Sequence, residues 1–160
     1  MRKRSKYRPK GVVLDVMTYV KSGIQTVASV PEAGVNLRLR NHMAFDEIMK
    51  GEPTSFHAND LIEAFNIAEA LAILGIGNDY RAEIWAAQDA VFNMAKRGVD
   101  KGSYRFNASE LEAVRFGMEL HDEQLRVAAV KEMEQALVIV NKTIKARKAR
   151  VVKKREEANA

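Results

Sequence analysis

The stretch NASELEAVRFGMELHDEQLRVAAVKEMEQALVIVNKTIKARKARVVKK, residues 107–154, decides the fold. Asn107 followed three residues later by Glu110 has the spacing of a capping box, in which each residue satisfies a free backbone donor of the other. Beyond it Gly117 is the only glycine and there is no proline as far as Lys154, so the spacing predicts one uninterrupted helix. At 1.5 Å per residue that helix is roughly 70 Å long. Leu111, Val114, Met118, Leu125, Ala129, Met133, Leu137, Val140 and Ile144 recur at three- and four-residue steps and draw an apolar stripe along it. The stripe requires cover as far as Ile144, either from the rest of the chain or from a second copy.

Upstream, the pattern stays helical. Residues 37–50 carry a helical repeat that stops at Gly51, Glu52 and Pro53, and Thr54 is placed to cap the next helix. That helix runs to about Leu74, with Leu61, Ile62, Phe65, Ala68, Leu71 and Ala72 on a broad apolar face. A turn at residues 75–79 starts another helix through Ile84, Trp85, Val91 and Phe92, with Gly98 near its end, which makes an antiparallel hairpin. Before all this, Val13, Val16, Met17 and Val20 recur at helical spacing and suggest a short helix, with Asp15 as a candidate cap and Gly23 as a stop. Residues 24–30 are rich enough in β-branched side chains for a strand but have no partner strand, so a loop is expected. The fold expected is all-α: a small bundle of four to five helices with a very long C-terminal helix and mobile basic termini. Its organisation is a basic disordered arm over residues 1–11, a helical domain over 12–140 and a basic helical extension over 141–160.

Charge is segregated along the chain. Fourteen of its 26 basic residues lie in residues 1–10 and 141–155, two segments without one acid, whereas residues 11–140 hold 12 basic against 19 acidic residues, a formal −7. The net +5 therefore conceals an acidic body with two cationic arms. The first arm offers Arg2, Lys3, Arg4, Lys6, Arg8 and Lys10, with Tyr7 as a stacking or groove contact; the second offers Lys142, Lys145, Arg147, Lys148, Arg150, Lys153, Lys154 and Arg155. Such arms suit nonspecific contact with nucleic-acid phosphates. The plainer account is a solvated charge run whose cations favour the end of a helix dipole. A second reading makes the stripe, above all Met118, Leu125, Met133, Leu137, Val140 and Ile144, an interface for self-association or for a host protein.

Several stretches together carry a family resemblance: RKRSKYRP at 2–9, RNHMA at 40–44, EALAILGIGNDY at 69–80, MELHDEQL at 118–125 and MEQAL at 133–137. They resemble small proteins of unassigned function encoded by tailed temperate phages and prophages of β-proteobacteria, over most of the chain. The resemblance implies a phage or mobile-element product acting inside a bacterial cell and transfers neither an activity nor a catalytic residue.

The remaining chemistry narrows the classes. The chain has no cysteine, so disulfides, thiol nucleophiles and thiolate zinc sites are excluded. His121 lies on the long stripe without a carboxylate three positions before it, and reads as a hydrogen-bonded core or interface histidine. His42 and His57 belong to no HExxH or other ligand pattern, and no cofactor or metal is expected. Gly75 and Gly77 before a helix lack the Walker lysine and a preceding strand, so a tight interhelical turn is the better account. Residues 64–94 have helix-turn-helix spacing, but Asp79, Glu83 and Asp89 accompany Arg81 at the would-be recognition helix and would repel phosphate. No catalytic motif emerges, and the chain is not read as an enzyme. Asp15 and Lys21 interrupt the first apolar run, which argues against a secretory signal. No segment reaches the roughly 20 apolar residues of a membrane span, and a terminal amphipathic helix without Trp or Phe is a poor interfacial anchor. The location expected is the cytoplasm of the bacterial host.

Overall fold

A computed structural model describes residues 33–152, whose elements are all helical: α1 (Ala33–Lys50), α2 (Ser55–Ile73), α3 (Arg81–Lys101), α4 (Ala108–Val127) and α5 (Val130–Lys145), with a short 3-10 turn at Asn78–Tyr80 before α3. The expected arm at residues 1–11, the short helix near Val13–Val20 and the loop at 24–30 lie outside the described residues.

α2 is the centre of the molecule. It buries Ala58, Leu61, Ala64, Phe65, Ile67, Ala68, Ala70, Leu71 and Ala72, which face nearly every direction around the helix rather than one stripe. Its alanines let neighbours come close, and α1, α3, α4 and α5 all pack against it. One apolar cluster joins Ile48 of α1, Leu61 and Phe65 of α2, Ile84, Val91 and Met94 of α3, and Val114 and Met118 of α4. A second joins Ile67 and Leu71 of α2 to Ala136 of α5, with Met133, Ile139 and Val140 packed around it.

The helix ends follow local chemistry. Thr54 opens α2, where its N–H donates to His57 Nδ1 at 3.1 Å. At the other end Ile76 N–H reaches Leu71 O at 2.9 Å and Gly75 N–H reaches Ala72 O at 3.0 Å, with Gly75 in the left-handed region at φ 101°. These two bonds are a Schellman stop, and the Gly75–Gly77 segment is a tight turn between helices. Asn107 and Glu110 complete the expected capping box: Glu110 N–H donates to Asn107 Oδ1 at 2.8 Å and Asn107 N–H to Glu110 Oε2 at 2.9 Å.

The single long helix is corrected. Residues 108–145 form two helices that part at Ala128 and Ala129, where ψ swings to 135° and 155°. Neither glycine nor proline makes the break. Ala128 is fully buried at the corner, and the turn lets α5 lay Met133, Ala136 and Val140 against α2 instead of carrying them into solvent. Burial thus overrides the helical preference of alanine. The freed Ala129 N–H donates to Glu132 Oε2 at 2.7 Å, which caps α5 from inside its own first turn. α5 ends at Lys145, and the longest described helix is α3, of 21 residues.

Candidate nucleic-acid interface

Lys142 and Lys145 stand exposed in the last turn of α5, where cations complement the helix dipole. The helix then stops on a second Schellman arrangement: Lys148 N–H donates to Thr143 O at 3.2 Å and Arg147 N–H to Ile144 O at 2.9 Å. Arg147 occupies the position that usually falls to glycine, at φ 54°, the only left-handed non-glycine among the described residues. The turn sends residues 148–152 back toward α3.

There the cations divide. Arg150 forms an ion pair with Asp89 and places its guanidinium 4.7 Å from the centre of the Phe92 ring, while Val152 packs on the main apolar cluster. Lys142, Lys145, Arg147 and Lys148 are exposed and have no acidic partner among the described residues. Of the predicted nucleic-acid residues, these four therefore share one accessible stretch, Arg150 is turned onto the body, and Arg2, Lys3, Arg4, Lys6, Tyr7, Arg8, Lys10, Lys153, Lys154 and Arg155 lie outside the described residues. The expected helical run through the basic segment stops at Lys145.

The returning segment roofs a cleft of about 500 Å3. α2 forms its floor, with α3 and α5 beside it; Ile62, Ile73, Phe92 and Ile144 are among its apolar walls. Its polar floor is already knit together, because Gln88 Nε2 donates to Glu69 Oε2 at 2.9 Å and Trp85 Nε1 to Glu69 Oε1 at 2.8 Å.

The predicted interface stripe also divides. Met118 and Leu125 are buried inside the chain and are not available to a partner; Met133 and Val140 are half-buried against α2. Leu137 and Ile144 stay exposed, joined by Val138 and Val151. The apolar surface left to a partner is thus Leu137 and Val138 on α5, with Ile144 and Val151 at the cleft, near the unpaired cations.

The histidines have structural partners. His57 caps α2, and His42 Nε2 lies 2.8 Å from Asp122 Oδ2, to which Arg38 also donates at 3.2 Å, tying α1 to α4. His121 is buried with Nδ1 3.2 Å from Gln124 Oε1. Gln124 Nε2 donates to Ala68 O at 3.0 Å and Ile76 O at 2.7 Å, which fixes its oxygen toward His121 and makes Nδ1–H the histidine donor. Burial, opposed by the Gln124 hydrogen bond and the nearby Asp122 charge, lowers the His121 pKa to about 4, so the ring is neutral. Arg97 bridges Glu110 and the Arg105 carbonyl; burial works against the Glu110 carboxylate, yet its hydrogen bonds from Arg97 and Asn107 bring its pKa below the ordinary value.

No group of three or more His, Asp or Glu side chains is arranged to hold a metal ion among the described residues, and no helix there is long and apolar enough to cross a membrane. The docking of Arg150 on Asp89 and Phe92 is the feature that sequence reading missed. Its partners lie about 60 positions away, and Asp89 carries no signal except its charge. Comparison with protein families, with characterised proteins and with solved structures finds no match to this chain.

Proposed function

We propose that the protein binds nucleic acid nonspecifically through its two cationic segments, Arg2 to Lys10 and Lys142 to Arg155, as an accessory protein of a phage or prophage in the host cytoplasm. Replication, packaging and regulation are the processes that use such a grip. The supporting observation is the exposed group Lys142, Lys145, Arg147 and Lys148, unpaired among the described residues at the end of α5, on a chain whose body is acidic. Phosphates would find their counter-charge there and repulsion over most of the remaining surface. No cofactor and no catalytic step enter this reading.

A second reading follows from the apolar side chains next to those cations. Leu137, Val138, Ile144 and Val151 are between 41% and 65% exposed, a surface suited to self-association or to a host protein with an acidic rim.

Fluorescence anisotropy separates the two. The full chain and a variant with Lys142, Lys145 and Lys148 changed to Gln are titrated with labelled duplex DNA, single-stranded DNA and RNA at several salt concentrations. Six to eight phosphate contacts across both segments give a slope of log affinity against log salt of about −5 to −7, and losing three flattens it by about 2.7. Equal slopes, or no binding at low salt, overturn the nucleic-acid reading. Loss of self-association or partner capture in Leu137→Asp and Ile144→Asp supports the second.

A further inference from the structure

Arg150 differs from its neighbouring cations in being doubly held. Asp89 supplies the charge and Phe92 the ring face, both on α3, and Val152 anchors the chain two residues further on. The approach is set by the αL turn at Arg147, which reverses the chain immediately after α5. The Arg150 side chain keeps 52% of its surface exposed, yet the Nη1 group that it gives to Asp89, on a guanidinium held over the Phe92 ring, is committed to the body. It cannot give the same donors to a phosphate.

We propose that residues 147–152 form a latch: while it is closed, Arg150 is withheld from nucleic acid by Asp89 and Phe92, and polyanion binding and latch closure compete for the one guanidinium. This rests on the nucleic-acid reading above and adds its regulation. The acidic body of the protein then acts as an internal substitute for the ligand. By linkage, whatever weakens the latch strengthens the grip, and nucleic acid in turn opens the latch.

Asp89 is exposed beside Arg150, at 61% of its side-chain surface, so its substitution leaves the core untouched. Asp89→Asn in the full chain is expected to bind duplex DNA about three times more tightly near physiological salt, an effect of the size an exposed ion pair allows. The salt slope should also steepen by about 0.9, one additional phosphate contact. Glu112→Gln removes the same charge at an exposed position away from the latch and is expected to leave the slope unchanged. Phe92→Leu keeps the charge and removes the ring, and is expected to change binding in the same direction as Asp89→Asn. In the Arg150→Gln background the Asp89→Asn gain should vanish.

A second readout needs no nucleic acid: hydrogen exchange at the amides of Arg147 and Lys148, which donate to Ile144 and Thr143 in the turn that begins the latch, expected to be faster in Asp89→Asn and Phe92→Leu than in the parent chain. If the parent binds DNA but Asp89→Asn gains no more than Glu112→Gln, or its gain survives in the Arg150→Gln background, the latch is overturned and the nucleic-acid reading stands. Unchanged exchange in both variants overturns the latch by itself. If no variant binds nucleic acid at low salt while exchange still accelerates, the nucleic-acid reading falls with its competition and the closed tail remains.

Discussion

Gly77 lies directly against Gln124: a Cβ on Gly77 would come within 3.1 Å of Gln124 Nε2, the same nitrogen that donates to the Ala68 and Ile76 carbonyls. The α2–α3 turn and the last turn of α4 are therefore locked through one carboxamide. Gly77 also holds φ at 79°, where a side chain costs roughly 1 kcal/mol. Gly77→Ala is expected to lower stability by about 2 kcal/mol in urea unfolding, and part of that loss should disappear in a Gln124→Ala background, where the crowded nitrogen is absent. Gln124→Leu alone strands the two carbonyl contacts and should cost about 2 kcal/mol.

His121 gives the fold a pH dependence. Its pKa is lowered by burial to about 4, against an ordinary value near 6.5 in the unfolded chain. Above pH 6.5 both states hold a neutral ring and its contribution is constant. As pH falls toward 4 the unfolded state takes up a proton that the native state refuses, so stability declines by up to about 3 kcal/mol. Urea midpoints between pH 4 and 7 should show this decline, and His121→Gln should flatten it.

Gly117 is the point where α4 meets its neighbours most closely. A Cβ there would lie 2.6 Å from Ala87 Cβ and 2.7 Å from Phe65 Cε1, both in the core. Alanine would gain about 1 kcal/mol in helix propensity, yet must push two helices apart at a cost of up to about 3 kcal/mol. Gly117→Ala is expected to lower the thermal midpoint, and Gly117→Val to lower it further.

Arg147 gives a variant whose stability and binding move in opposite directions. Glycine at φ 54° relieves the left-handed strain, although it also loosens the unfolded chain, and the net gain expected is about 0.5 kcal/mol. The same change removes one exposed cation, so the duplex salt slope should flatten by about 0.9 where that cation meets a phosphate. Urea unfolding and anisotropy on Arg147→Gly check both directions.

The sequence makes α1 through α4 legible because their ends are written in residues with strong local meaning: Gly51 and Pro53, Thr54, Gly75, Asn107 with Glu110. The break at Ala128 and Ala129 is not legible in that way. Alanine is the best helix former, and only Glu132, three residues into α5, hints at a new start. What bends the chain is the second apolar cluster on α2, a long-range fact that periodicity along one segment does not carry. For the candidate site, the exposed lysines of α5 were legible from charge alone. The inward turn of Arg150, and the burial of Met118 and Leu125 within the chain, depend on which helices end up side by side.

The central position of α2 also bears on the order in which the chain assembles. α1 with α2, α2 with α3, and α3 with α4 are neighbours in sequence as well as in space, so each contact closes only a short loop. Contacts of that kind form early and favour rapid folding. α5 instead returns to α2 across the whole length of α3 and α4, and its docking waits until that surface exists. The bend at Ala128 is then expected to form last among the large steps of the described fold, with the basic segment placed after the body behind it.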